Sequence, residues 1–302
     1  MGTPSFAVQS LLSLINNKYE IVACITQPDR KRGRGNQVTF SEIKKIALKN
    51  DILVLQPDNI KKSIWVEKVK ELNPNLFITC AYGQILSKAI LDIPKYGCIN
   101  IHASLLPKYR GASPITRAII NGDKKTGVTT MLTDVGMDTG DILLKKELKI
   151  PMDMTLIKLH DQLSILGSEL IIDTLEQLNA NNLTPIKQNN EEATYAPMLK
   201  KEDGIIKWNE DCITIYNKIR GLNPWPGCYT TLLNKRLKIV LASFENITTD
   251  KLPGTIIESS KTKISVACKV GVLNILKLKF DNKKEMEVSM CYHNIKIGSV
   301  FE

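Results

Sequence analysis

Segment 97–114 is where the chain is best equipped for chemistry. It reads Gly-Cys-Ile-Asn-Ile-His-Ala-Ser-Leu-Leu-Pro-Lys-Tyr-Arg-Gly-Ala-Ser-Pro. In an extended strand alternate side chains share a face, so Asn100 and His102 emerge together while Ile99 and Ile101 pack on the opposite side. An asparagine amide donates N–H, and an imidazole gives or takes a proton near neutral pH. That pair suits a carbonyl carbon passing through a tetrahedral oxyanion. Taken alone, an Asn-x-His pair is more often a hydrogen-bonded loop histidine. A second cluster, Asp134-Val-Gly-Met-Asp138-Thr-Gly-Asp141, punctuates carboxylates with glycine. Its loop can bring a carboxylate against a ligand or against His102. The same acidic spacing occurs in ordinary turns and metal loops, but with no histidine near it in sequence a metal site is not expected.

Groups of this kind need rigid strand ends to hold them. Short apolar, β-rich runs at 21–26, 54–56, 76–81, 98–102, 127–133 and 142–150 alternate with helical patterns at 41–49 and 63–72. Such alternation predicts an α/β domain with a mostly parallel sheet covered on both faces, its ligands at the carboxyl ends of the strands. Leu156, Leu159, Leu163, Leu166, Leu170 and Leu175 recur at helical spacing and predict one long amphipathic helix over 155–178. His160 flanks that apolar stripe and reads as structural or surface. A polar stretch broken by Pro185 follows and is read as a linker. After residue 200 comes a short helix at 211–221 and then strands at 236–244, 254–259, 262–269, 272–280 and 287–292, the pattern of a small β-barrel of OB-like kind. The expected division is therefore 1–180, a linker at 181–200, and 201–302.

Length and composition agree with two domains: 302 residues, 43% hydrophobic and 24% charged. No apolar run approaches the roughly 20 residues of a membrane span, and no secretory leader is visible. Seven scattered cysteines without C-x-x-C spacing argue for reduced, buried thiols rather than disulfides or zinc. The formal charge of +10 is concentrated. Seven basic residues and one acid fall within 30–49, and 16 basic against 11 acidic residues within 201–302. A phosphate backbone is the partner such placement fits.

Eight motifs occur together in order: Gly-Thr-Pro-Ser-Phe-Ala at 2–7, Gln-Pro-Asp at 27–29, Gly-Arg-Gly at 33–35, Ala-Tyr-Gly-Gln-Ile-Leu at 81–86, the 100–107 stretch, Arg110-Gly-Ala, Gly136-Met-Asp-Thr-Gly-Asp, and Asn223-Pro-Trp-Pro-Gly227. In this combination the chain resembles the methionyl-tRNA formyltransferase family. The resemblance implies a Rossmann-like formyltransferase domain followed by the barrel, with 10-formyltetrahydrofolate as cosubstrate and no metal or tightly bound cofactor. It places the catalytic roles on Asn100, His102 and Asp138: the methionyl amine attacks the formyl carbon, Asn100 and protonated His102 stabilise the oxyanion, and Asp138 sets the state of His102. It implies folate contacts at Ser104, Leu105, Leu106, Pro107, Tyr82, Gly83, Ile85 and Leu86, and tRNA contacts at Arg30, Lys31, Arg32 and Arg34, with the C-terminal domain adding a basic face. The implied partner is initiator methionyl-tRNA, in a bacterial cytoplasm, and the protein is expected to act as a monomer.

Three other readings stay open. The related formylations of an amino sugar nucleotide or of glycinamide ribonucleotide use the same first domain, although the basic Gly-Arg-Gly loop and the long C-terminal extension favour tRNA. A non-catalytic RNA-binding protein on this scaffold is the alternative outside enzymology. A dehydrogenase is excluded, because no G-x-G-x-x-G follows a strand. One departure is notable: the family has a buried strand immediately before the Gly-Thr-Pro turn, whereas Met1 stands at the turn itself. The expectation is a start upstream and a sheet weakened at this place.

Overall fold

The structure is a computed structural model that describes residues 1–32 and 37–302, with the side chains of Lys31, Arg32, Gln37 and Val38 excepted. The chain forms two compact units. One comprises Met1–Pro114, Lys125–Lys149 and Leu159–Ala196; the other comprises Ile115–Lys124, Ile150–Lys158 and Pro197–Glu302. Residues 181–196, read from sequence as linker, thus pack with the first unit. Ile142 and Ile186 exchange backbone hydrogen bonds of 2.8 Å in both directions, which ties that segment to a strand.

Up to residue 179 the elements are α1 (Val8–Asn16), β1 (Cys24–Ile25), β2 (Arg30–Arg32), β3 (Gln37–Thr39), α2 (Glu42–Lys49), β4 (Val54–Leu55), α3 (Ser63–Glu71), β5 (Phe77–Thr79), α4 (Lys88–Leu91), β6 (Cys98–His102), α5 (Pro114–Ile120), β7 (Lys125–Leu132), β8 (Ile142–Lys149) and α6 (Leu156–Asn179). The expected alternation is present, and β1 pairs with β4, and β5 with β6, in parallel. Strands β7 and β8 then join β6 in antiparallel order. Helix α6 buries Leu159, Leu163, Gly167, Leu170, Ile171 and Leu175. It lies close to the sheet at Gly167, where a methyl group would stand 3.0 Å from Ile101 Cγ2. Thr174 and Thr130 hydroxyls meet at 2.8 Å between the same two layers. Helix α2 starts at Ser41, whose side chain accepts from the Lys44 N–H and so caps one of the helix's open donors.

Between β1 and β5 the sheet is bridged by the first residues of the chain. Gly2 N–H donates to Ile25 O at 3.0 Å, Cys80 N–H donates to Met1 O at 3.0 Å, and Gly2 and Cys80 form a parallel bridge. Before this bridge lies a cavity of about 640 Å³, walled by Leu11, Val22, Ile25, Val69, Phe77 and Ile78 among others. The Met1 ammonium faces it, donating to Ile78 O, and burial pushes its pKa below the ordinary value.

In the second unit, β9 (Cys228–Leu232), β10 (Lys235–Glu245), β11 (Ile256–Ser259), β12 (Ile264–Ala267), β13 (Val272–Phe280) and β14 (Met286–Glu287) form one antiparallel sheet, in the order β11-β12-β13-β10-β9 with β14 beside β13. Its ends are joined by the chain terminus. Ile256 N–H donates to Ser299 O and Phe301 N–H to Gly254 O on one side, while Thr231 and Glu302 exchange backbone bonds of 3.0 and 2.9 Å on the other. Among the described residues no ladder joins β9 to β11, so the sheet is not a closed barrel, and it is compatible with the OB-like expectation. Helix α7 (Cys212–Leu222) plugs it, burying Ile215, Ile219 and Leu222 in the cluster with Leu237, Ile239, Ile264 and Leu273. All seven cysteines are buried free thiols. No helix of the described residues is long and apolar enough to cross a membrane.

Candidate active site

Strand β6 places Asn100 and His102 two residues apart at its carboxyl end, and the neighbouring strand is in register, with Thr79 opposite Asn100. Thr79 Oγ1 donates to Asn100 Oδ1 at 2.9 Å. A hydroxyl can donate there only if the amide oxygen faces it, so the Asn100 NH2 is turned outward as a hydrogen-bond donor. Thr79→Val removes this lock without changing the side chain's size. We expect it to lower kcat by about fivefold, the scale of one hydrogen bond of roughly 1 kcal/mol, with KM for either substrate unchanged and Thr79→Ser restoring the rate in steady-state kinetics.

His102 is buried, and its Nε2 lies 2.9 Å from Tyr109 O. A carbonyl only accepts, so Nε2 carries hydrogen and Nδ1 bears the lone pair of the neutral ring. Nδ1 looks toward Asp138 Oδ2 at 3.6 Å. Asp138 in turn accepts from Gly111 N–H at 2.8 Å. That donation needs Gly111 at φ +113°, a conformation side chains avoid, and a Cβ there would press on Ala196 O at 3.0 Å. Asp138 itself is in the left-handed region at φ 53°. The preceding turn is built by Asp134, which accepts from Gly136 N–H and from Thr139 Oγ1. Asn100, His102 and Asp138 are therefore brought to one place: an amide donor, an imidazole and a carboxylate.

The expected folate set divides by burial. Leu106 is wholly buried with Met131 and Ile142, and the Ser104 hydroxyl donates to Lys108 O at 2.6 Å. Leu86 and Tyr82 belong to the apolar cluster around Ile60 and Ile90. Leu105, Pro107, Gly83 and the exposed Ile85 retain surface for a ligand. Tyr82 and Gly83 also line a cavity of about 270 Å³ together with Thr3, Gln27, Arg30 and Ser41. Of the expected tRNA set, Arg30 is exposed at the start of β2, opposite Thr39 of β3. Lys31 and Arg32 are placed by backbone only, and Arg34 lies outside the described residues. His160 is on the surface of α6, beside Asp161 at 3.0 Å and edge-on to Phe6.

Sequence reasoning missed Thr79, the Tyr109 carbonyl and Gln188. Gln188 Nε2 donates to Asp138 O and Gly140 O at 2.8 and 2.7 Å. A strand threonine and a glutamine 50 residues downstream of the loop carry no local signal; only their partners identify them.

With this geometry in place, similarity to known proteins is decisive. The family described as "Formyl transferase" matches residues 1–175, and "Formyl transferase, C-terminal domain" matches residues 198–294. A methionyl-tRNA formyltransferase of Acetivibrio thermocellus is 46% identical over 99% of this chain and 97% of its own length. One of Alkaliphilus metalliredigens is 50% identical over 95% and 92%. The chain belongs to the methionyl-tRNA formyltransferase family. Among solved structures, the methionyl-tRNA formyltransferase from Clostridium thermocellum superposes with a TM-score of 0.51 at 27% identity, covering 68% of this chain and 88% of that one. The sugar 3N-formyl transferase WlaRD superposes with 0.68 at 21% identity, covering 94% and 97%, and shares the fold.

Proposed function

We propose that the protein transfers the formyl group of 10-formyltetrahydrofolate to the α-amine of initiator methionyl-tRNA, with Asn100, His102 and Asp138 as its catalytic residues. The observation that supports this reading most is the meeting of those three groups, with Asn100 presenting N–H and His102 presenting the Nδ1 lone pair beside a carboxylate. The neutral amine attacks the formyl carbon, forming a C–N bond while the carbonyl pair moves onto oxygen. Asn100 Nδ2–H donates to that oxyanion. The proton leaving the amine passes to His102 Nδ1, and the imidazolium so formed sits between Tyr109 O and the Asp138 carboxylate. Collapse of the intermediate breaks the bond to N10, which takes the proton and departs as tetrahydrofolate. No metal is needed for these steps, and the folate is a cosubstrate.

The first unit carries this chemistry. The expected division into a catalytic domain 1–180, a linker 181–200 and a tRNA-binding domain 201–302 is retained as a proposal about roles. Arg30, Lys31, Arg32 and Arg34 meet the acceptor end of the tRNA, while Leu105, Pro107, Gly83 and Ile85 face folate with the backbone of Ser104, Leu106, Tyr82 and Leu86. In the second unit, Tyr229, Lys238 and Lys279 form a cross-strand row, and the Arg236 guanidinium lies 3.6 Å over the Tyr229 ring. Burial chiefly lowers the Lys238 pKa; Glu285 opposes this, and Lys279 and Arg236 add to it. Like charges directly opposite on a sheet are unfavourable, and a phosphate backbone relieves them. Lys238→Ala with Lys279→Ala should weaken tRNA binding and flatten its salt dependence by about 0.7–0.9 in log–log slope for each phosphate no longer neutralised, read from Kd against ionic strength.

The test of the function is transfer from 10-formyltetrahydrofolate to charged initiator tRNA, run beside a sugar nucleotide amine. Formylation of the sugar alone would overturn the assignment. Binding of tRNA without turnover would point to an RNA-binding role instead.

A further inference from the structure

Asp138 is held in its left-handed turn by a buried network outside the acidic motif. Gln188 is 6% exposed and uses every polar atom it has. Its two amide hydrogens go to Asp138 O and Gly140 O at 2.8 and 2.7 Å, on either side of Thr139. Its Oε1 accepts from Arg110 Nε and Nη2 at 3.0 and 2.8 Å. Arg110, 2% exposed, also donates to Asn190 Oδ1. The guanidinium fixes which way the Gln188 amide points, because only Oε1 can accept from it. Arg110 is joined directly to Gly111, whose N–H holds the Asp138 carboxylate. One amide thus links the backbone of the carboxylate's loop to the segment that grips the carboxylate itself.

We propose that Gln188, oriented by Arg110, is a positioning residue that sets the Asp138 carboxylate opposite His102, so that the transfer rate depends on a side chain that touches neither substrate. The proposal rests on Asp138 acting in catalysis as argued above. Gln188→Glu is the informative change. It keeps the shape and gives Arg110 a stronger partner, while it replaces two donors with an oxygen that repels the carbonyls of Asp138 and Gly140.

The experiment is a double-mutant cycle of Gln188→Glu and Asp138→Asn, with kcat, KM for folate and Tm measured on the full chain. Groups acting through one another are non-additive in such a cycle. We expect Gln188→Glu to lower kcat by about 10- to 100-fold with KM for folate within about twofold, Asp138→Asn to lower it further, and the double variant to match Asp138→Asn alone. Gln188→Asn, which keeps the amide on a shorter stem, should lose less. Wild-type kcat in Gln188→Glu, or a loss that multiplies with that of Asp138→Asn, would overturn the proposal. If Asp138→Asn were fully active, the catalytic reading of Asp138 would fall first. If neither Gln188 variant folded, the residue would belong to stability alone and the proposal would be wrong.

Discussion

His102→Ala should lower kcat for formyl transfer by about 10³-fold, within the 10²–10⁴ typical of a lost general base, with KM for methionyl-tRNA nearly unchanged. The ring is buried, but its nitrogens make no bond that other elements need for folding beyond that to Tyr109 O. The void left by the ring should lower Tm by a few degrees, while the protein stays folded at assay temperature and the loss of rate is chemical. Asn100→Ala removes the oxyanion donor and should cost about 10²–10³-fold, again in kcat. The two differ in pH behaviour. His102→Ala removes the group that takes the amine's proton, so its residual rate should rise with pH as the amine itself loses a proton. Asn100→Ala should keep the wild-type profile at a lower rate. A His102→Ala enzyme within tenfold of wild type would end the assignment.

The second large effect concerns stability. The cavity of about 640 Å³ beside Met1 is bordered by apolar side chains and by the backbone flanking β1 and β5, and the Met1 ammonium is buried at its edge. A strand of about eight residues joined ahead of Met1, with alternate branched apolar side chains, would bury those side chains at roughly 1.5–3 kcal/mol each. It would also turn the ammonium into an amide N–H still able to donate to Ile78 O. Ordering the strand costs about 1–2 kcal/mol per residue, a cost that this burial offsets only together with the backbone hydrogen bonds made to the strands on either side, at about 1 kcal/mol each. At roughly 2–4 °C per kcal/mol for a domain of this size, we expect Tm to rise by on the order of 5–10 °C; equal Tm values would refute it. The 302-residue form carries its own signature. Burial places the ammonium pKa below its ordinary 8.0, so the unfolded chain binds that proton more readily. Stability should be highest above pH 8.0 and fall as pH drops through the lowered pKa. The extended form, its terminus elsewhere, should lose that dependence in pH-resolved melting curves.

The residues themselves determined a good deal here. Short apolar, β-rich runs separated by helical spacing defined the α/β alternation, because burial of a strand on both faces and of a helix on one imposes those local patterns. Asn100 and His102 could be paired from strand geometry alone, since side chains two apart must share a face. The leucine spacing of α6 marked its buried side for the same reason. What tertiary structure decided was orientation and partnership between distant segments. Nothing local to Asn100 says that Thr79 turns its amide outward, because that depends on the register of two strands. Nor does the acidic loop disclose that Gly111 and Gln188 hold Asp138, since hydrogen bonds across 27 and 50 residues leave no periodicity. Residues 181–196 looked like linker because most of them are polar and exposed, and the bonds that tie Ile186 and Gln188 to the first unit leave no local pattern. Nor does the 104–107 turn disclose that Leu106 is taken up in packing and the Ser104 hydroxyl in a bond to its own turn. Composition states what a side chain can do, and only the folded arrangement states which of its bonds are already taken.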